Sequence, residues 1–168
     1  AVTSADGIEV HRIAADEWPT LRAVRIAALT DTPEAFGSTL ERELAFTDEM
    51  WAVRATESSS SLQRGLWLAR RGADVVGIVG AFVDGDVVEL VSMWVAPSAR
   101  RSSVGRQLVD AALDWARTVP VARVDLWVVR GNERAVAFYE SAGFALTTDH
   151  QPLPSDPCKD ELRMTRAV

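Results

Sequence analysis

Cysteine, histidine and tyrosine are all scarce in this chain. Among its 168 residues there is one cysteine, Cys158, one tyrosine, Tyr139, and two histidines, His11 and His150. A single thiol excludes an internal disulfide and any cysteine metal cluster, and two histidines far apart in sequence argue against a histidine metal site. Metal-independent chemistry is the expectation. Long apolar runs are missing as well: no stretch reaches the ~20 residues needed to span a bilayer, and the N-terminus lacks the positive, apolar, small-residue order of a secretion signal. The expected compartment is the cytoplasm, with no membrane partner. Positive charge is in the minority, 18 Lys+Arg against 24 Asp+Glu, for a formal net charge of −6. That balance argues against nonspecific nucleic-acid binding, which depends on a basic surface. No internal repeat or linker is visible, so residues 1–168 read as one domain, with a homodimer left open.

What is present is a polar turn between two apolar segments. The run Val95-Ala96-Pro97-Ser98-Ala99-Arg100-Arg101-Ser102-Ser103-Val104-Gly105-Arg106-Gln107-Leu108 passes from a strand pattern into an amphipathic helix, on which Val104, Leu108, Ala111, Ala112 and Trp115 recur at helical spacing. A helix starting near Ser102 or Ser103 points its free N–H groups and its positive end back into the turn, where phosphate oxygens can be held. Gly105 allows a ligand to approach the backbone, and Arg100, Arg101 and Arg106 supply forked donors. An ordinary strand-to-helix connection with solvated arginines fits this stretch equally well.

A second stretch separates the two readings: Asn132-Glu133-Arg134-Ala135-Val136-Ala137-Phe138-Tyr139-Glu140-Ser141-Ala142-Gly143-Phe144. Asn132 can cap a helix, Glu133 lies in its first turn, Gly143 stands at its stop, and Ala135, Phe138, Tyr139 and Ala142 share an inward stripe. In this order the two stretches resemble the GNAT superfamily of N-acetyltransferases, whose acyl-CoA loop reads Arg/Gln-x-x-Gly-x-Gly/Ala and whose next helix reads Asn-x-x-Ala-x-x-(Phe/Leu)-Tyr-x-x-x-Gly-Phe. The likeness runs from Val75 to Phe144 and, more loosely, over Arg25 to Trp51 and the tail ending in Met164. Ser103 departs from the pattern, standing where the family has its first glycine.

Coarse patterning supplies the rest of the chain. Ile8 to Ile13 alternates as a strand; Asp16, Glu17 and Pro19 start a helix with Leu21, Val24 and Ala28 inward; Thr32-Pro33-Glu34 opens a second with Phe36, Leu40 and Leu44 on one face. Thr47, Asp48, Glu49 and Trp51 begin a further turn or helix that ends in a solvated loop at Ser58 to Ser61. Strands are expected at 66–71, 75–83 and 87–95, joined by the hairpin signals Arg71-Gly72-Ala73-Asp74 and Asp84-Gly85-Asp86. A strand at 124–129 completes a right-handed βαβ crossover, and strands at 144–148 and 161–165 pair across a proline-rich loop, 151–160. The fold class is α/β in the mixed α+β sense, a mixed central sheet of about six to seven strands with helices on both faces. The resemblance further implies that strands 87–95 and 124–129 splay apart, with the pantetheine arm of acetyl-CoA paired to the backbone at Met93, Trp94 and Val95.

The resemblance implies transfer of an acetyl group from acetyl-CoA, a co-substrate, to an amine by direct attack. The acceptor is a small amine, such as an amino acid, polyamine or aminoglycoside, or a protein N-terminus or lysine. An alkyl amine of pKa ~10.4 is uncharged in only about one molecule per few thousand at pH 7, so a proton must leave before attack and one must reach the departing thiolate. Tyr139 falls where the family has its general acid, and Glu89 where some members carry a glutamate base. Within Val87-Val88-Glu89-Leu90-Val91 a glutamate is a poor strand residue that burial would make more basic; a solvent-facing side chain after the turn is the plain alternative. The implied cofactor contacts are Met93, Trp94, Val95, Arg100, Arg101, Ser102, Ser103, Val104, Gly105, Arg106, Asn132, Ala135 and Phe138. Phe36, Trp51, Ser92 and the 151–160 loop are candidate acceptor elements. Trp18, Trp67, Trp115 and Trp127 read as packing, and Cys158 as an incidental exposed thiol. A noncatalytic acyl-CoA-binding sensor or scaffold is the alternative from another class, and it needs neither Tyr139 nor Glu89.

Overall fold

Short turns and alternating apolar residues lay down the sheet. In the computed structural model, which describes residues 2–168, β1 (Val2–Thr3) and β2 (Ile8–Arg12) form a first hairpin, followed by α1 (Trp18–Asp31), α2 (Leu40–Leu44) and α3 (Asp48–Ser60). Then come β3 (Arg64–Arg71), β4 (Asp74–Asp84) and β5 (Val87–Val95). Gly72 and Gly85 open the two intervening two-residue turns with φ of 62° and 63°, a left-handed conformation that glycine reaches without a Cβ clash. The chain continues through α4 (Val104–Ala116), β6 (Arg123–Val129), α5 (Glu133–Ser141), β7 (Ala145–Leu153) and β8 (Asp156–Ala167). The strand order is β1-β2-β3-β4-β5-β6-β8-β7, with β5 and β6 parallel and the other pairs antiparallel. The eighth strand, beyond the expected six to seven, is the two-residue edge strand β1.

Apolar cores lie on both sides of the sheet. Val88, Leu90, Leu108, Ala112, Leu126, Tyr139 and Met164 belong to the one under α4 and α5, while Leu21, Val24, Ala28, Trp51, Leu68, Ile78 and Trp94 belong to the one under α1 and α3. No helix among the described residues is long and apolar enough to cross a membrane.

Three local expectations are corrected. Thr32-Pro33-Glu34 opens only a single 3-10 turn, Pro33–Ala35; Phe36 is extended, and the helix restarts at Leu40, where Thr39 Oγ1 accepts the Arg42 N–H at 3.2 Å. Leu44, expected inward, is 52% exposed. The serine run is the last turn of α3 rather than a loop: Ser58 is buried, and the Arg12 guanidinium satisfies the end of the helix by donating to the carbonyls of Ser58 and Ser61 at 2.9 and 2.6 Å. The proline-rich segment 151–160 is strand on both sides of a tight Pro154-Ser155 turn. Pro152 lies on the edge strand β7, and Pro157 lies short of the part of β8 that pairs with β6, so neither removes a ladder bond the inner sheet needs.

Two irregularities in β5 position everything that follows. Its parallel pairing to β6 stops after Val87↔Arg123, Val88↔Val124 and Glu89↔Asp125, so the strands part immediately beyond Glu89. On its other edge the register with β4 slips between Gly80↔Val91 and Ile78↔Trp94, a β-bulge at Ser92 and Met93.

Candidate active site

The gap opened by β5 and β6 has the turn at 96–103 at one end. Ala96 donates its N–H to the Val76 carbonyl at 2.8 Å, so by alternation the N–H and carbonyl of Val95 face away from β4, into the gap. Arg100 Nε donates to that Val95 carbonyl at 3.1 Å, and Arg100 Nη2 pairs with Asp31 at the end of α1. Trp94 is buried and donates Nε1–H to the same Asp31 carboxylate at 3.0 Å. Asp31 is held below the usual carboxylate range by hydrogen bonds from Thr32 and Trp94 and by Arg100. Arg101 has φ of 61°, and Arg106 donates to the Ser141 carbonyl at 2.9 Å and to Asp110 at 3.1 Å, tying α4 to the end of α5.

Ser103 is the N-cap of α4, with φ −77° and ψ −4°. This is helix-start backbone, so its Cβ costs nothing that glycine would relieve. Ser102 Oγ accepts the Val104 N–H at 3.3 Å, and the first intrahelical bond from an N–H to Ser103 comes from Gln107 at 3.0 Å. The Ser103 hydroxyl donates to Asp6, which the β1–β2 turn places against the start of α4, and Gln107 Nε2 bridges Ser103 and Ser4. Hydroxyl bonds from Ser103 and Ser4 hold the Asp6 carboxyl below its ordinary range. A Cβ on Gly105 would lie 3.1 Å from the Phe138 ring, so this glycine also serves the close approach of α4 and α5. Asn132 caps α5 by accepting the Ala135 N–H at 3.1 Å.

Tyr139 is buried, edge-on to Phe138 and Phe144 at ring separations of 5.0 and 5.9 Å. Burial alone pushes its phenol up, and the group stays protonated at neutral pH. Glu89 is half-buried, and its Oε1 accepts the Trp127 Nε1–H at 2.9 Å. Trp127 was expected in the core. The period-2 alternation of β6 sends Val124, Leu126 and Val128 into the core and leaves Trp127 half-buried on the opposite face, with the Arg163 guanidinium 4.9 Å above its ring. On the same sheet, Glu161 is 8% exposed and accepts Gln151 Nε2–H at 2.6 Å. Burial pushes the Glu161 carboxyl up, the Gln151 hydrogen bond opposes this, and the nearby Glu89 charge adds to it.

The candidate acceptor residues divide. Ser155, at the tip of the β7–β8 hairpin, donates to the Phe36 carbonyl at 2.6 Å, so the 151–160 segment does reach the α1–α2 connection. Trp51 is fully buried, with Phe46 5.4 Å away, and is a packing residue. Ser92 accepts a hydrogen bond from Arg25, which is itself buried and paired with Glu43. Arg25, Glu43 and Glu161 are the residues that reading the sequence missed. Arg25 carried a signal: with Leu21, Val24 and Ala28 it falls on the inward stripe of α1, and a charge there demands a buried partner. Nothing local marks Glu43 as that partner.

Against known proteins, the profile described as Acetyltransferase (GNAT) family matches residues 21–144. A mycothiol acetyltransferase of Beutenbergia cavernae is 32% identical over 131 residues, covering 76% of this chain and 41% of the relative. The chain thus spans less than half the length of that curated relative. An acetyltransferase of the GNAT family from Streptococcus pneumoniae superposes with a TM-score of 0.77 at 18% identity, covering 96% of this chain and 99% of the other. The PaiA N-acetyltransferase of Thermoplasma acidophilum, solved in complex with coenzyme A, gives 0.73 at 19% identity with the same coverages. The parallel pair that parts beyond Glu89, the helices that follow each of its strands and the match over 21–144 together establish that the chain belongs to the acetyltransferase (GNAT) family.

Proposed function

We propose that the protein transfers the acetyl group of acetyl-CoA to a primary amine by direct attack, with Glu89 as base and Tyr139 as acid. The observation that carries this reading is the parting of β5 from β6 immediately after Glu89, which leaves a carboxylate where a backbone-lined gap begins. The chain's own groups suit acetyl-CoA. The Val95 N–H and carbonyl are oriented toward the gap to pair with amides of the pantetheine arm, and the unbonded N–H groups at the start of α4, with Gly105, suit the pyrophosphate. Arg100 has to leave the Val95 carbonyl, Asp31 or both to serve a phosphate, and Arg101 reaches the turn from left-handed backbone. When bound, acetyl-CoA supplies the thioester carbonyl that the amine attacks.

Two proton movements then fall to the protein. Glu89, oriented by Trp127, takes the proton of the incoming ammonium directly or through a water. Tyr139, whose raised pKa keeps its proton in place, gives one to the departing thiolate. The test is thiol release from acetyl-CoA against a panel of small amines, peptide N-termini, lysine peptides and the acceptor of the mycothiol acetyltransferase relative. Acetyl-CoA at about 100 times its Kd adds ~2.7 kcal/mol of stability, while pantetheine, without phosphates, adds far less. Binding without turnover on any acceptor would favour the sensor or scaffold over the enzyme.

A further inference from the structure

One arginine of α1 lies inside the protein. Arg25 is 2% exposed and its partner Glu43 1%. Arg25 Nε donates to Glu43 Oε1 at 2.9 Å, Nη2 pairs with Oε2, and Nη1 crosses to β5, donating to Ser92 Oγ at 2.6 Å. Ser92 has φ of 58°, a left-handed conformation that a residue with a Cβ holds only when its surroundings impose it. It is also where the β4–β5 register slips by one residue.

That slip decides which face each half of β5 presents. Val88 and Leu90 pack in the core under α4 and α5. Unbroken alternation would send Trp94 to that core and Val95 to the opposite face; instead Trp94 lies in the core under α1 and α3, and Val95 packs on the α4 side. The bulge at Ser92 therefore fixes the offset between Glu89 and the gap-facing backbone of Val95. A buried ion pair stabilises a fold little compared with an apolar pair of the same volume, so the third donor of Arg25, spent on a strained residue, calls for another explanation.

We propose that Arg25, locked by Glu43, is a positioning residue for acetyl transfer: through Ser92 it clamps the β5 bulge and so sets Glu89 against the strand backbone that seats the thioester. This rests on the transfer reading above, and its test has an arm that does not need the reaction. Amide hydrogen exchange over Leu90–Val95 is expected to quicken about tenfold or more in Ser92→Gly and in the double variant Arg25→Met/Glu43→Leu, with the Tm of each within a few degrees of the parent. With an amine that the parent acetylates, both variants lower kcat about tenfold or more while the KM for acetyl-CoA stays within about threefold. Ser92→Asn tolerates the left-handed backbone and keeps an acceptor oxygen for Arg25, and it retains kcat within about threefold of the parent. Ser92→Gly leaves the ion pair in place, so a double variant that fails to fold does not end the test. Unchanged exchange in Ser92→Gly overturns the clamp whatever the activity. Quickened exchange with full kcat overturns the positioning role and leaves acetyl transfer standing. If the parent acetylates no amine, the transfer reading fails separately and the exchange arm still decides the clamp.

Discussion

The two ends of the gap are assembled on different plans. The end proposed for the cofactor is contiguous: residues 96–106 and 132–144 each carry their own turn and inward stripe. The end proposed for the acceptor is dispersed. Arg25, Phe36, Glu43, Glu89, Ser92, Trp127, Ser155 and Glu161 come together from separate helices, strands and a hairpin tip, and Ser155 meets Phe36 across 119 positions of sequence. A contiguous site can be altered one contact at a time, whereas a dispersed one couples chemistry to the packing of the whole sheet.

Breaking the dispersed end should have the largest effect. Arg25→Ala leaves Glu43 charged and buried without its main partner, and is expected to cost about 3–5 kcal/mol in urea unfolding. Arg25→Met/Glu43→Leu, which removes both charges, is expected to come close to the parent stability. At the cofactor end the corresponding change affects rate rather than stability: Tyr139→Phe lowers kcat about a hundredfold, with acetyl-CoA affinity in calorimetry unchanged. Ser103→Asp puts a second carboxylate beside Asp6 at the start of α4 and weakens acetyl-CoA binding more than about tenfold. Ser103→Gly changes it by less than about tenfold, or ~1.4 kcal/mol, because the φ of −77° already suits a residue with a Cβ. A gain from glycine above that bound would show the native turn to be impaired for phosphate.

The smallest effect, one of pH, also sharpens the comparison. Burial and then Glu89 raise the Glu161 carboxyl, so the folded protein binds that proton more tightly than the unfolded chain; this contribution to stability is present at low pH and lost as pH rises through and above the ordinary glutamate range. Glu43 has the opposite sign. Burial alone would raise its pKa, but Arg25 and Arg54 hold it below the ordinary value, so its contribution is present above the ordinary glutamate pKa and lost as pH falls below it. Denaturant midpoints measured across acid pH for Glu161→Gln should rise relative to the parent toward neutrality; a flat difference would show that Glu161 does not titrate in this way.

How much could be read from the sequence follows the same division. The helices α4 and α5, the hairpins at Gly72 and Gly85 and the ends of β5 are recovered because each is specified by neighbours within a few residues. The parting of β5 and β6 came from family likeness and from nothing in the residues themselves. The break before α2, the end of α3 and the extent of the last hairpin were misread because distant partners decide them: Arg12 supplies donors to the serine run, and the docking of Ser155 on Phe36 holds the tip of the hairpin. Trp127 was misread for a different reason. A core-facing pattern is the expectation for it, whereas the alternation of β6 puts it beside Glu89, on the face opposite Leu126.

The place of β8 in the sheet has a consequence for synthesis of the protein. Along Leu126–Val129, β6 has no strand partner on the gap side, so β8 supplies its entire inter-strand bonding there, and β8 occupies Asp156–Ala167. While the chain emerges from the ribosome, Leu126-Trp127-Val128-Val129 is an apolar edge with both sides open until β8 follows. A translation stall or a cut anywhere between α5 and β8 would therefore yield a sticky fragment liable to strand-to-strand association rather than a merely less stable fold.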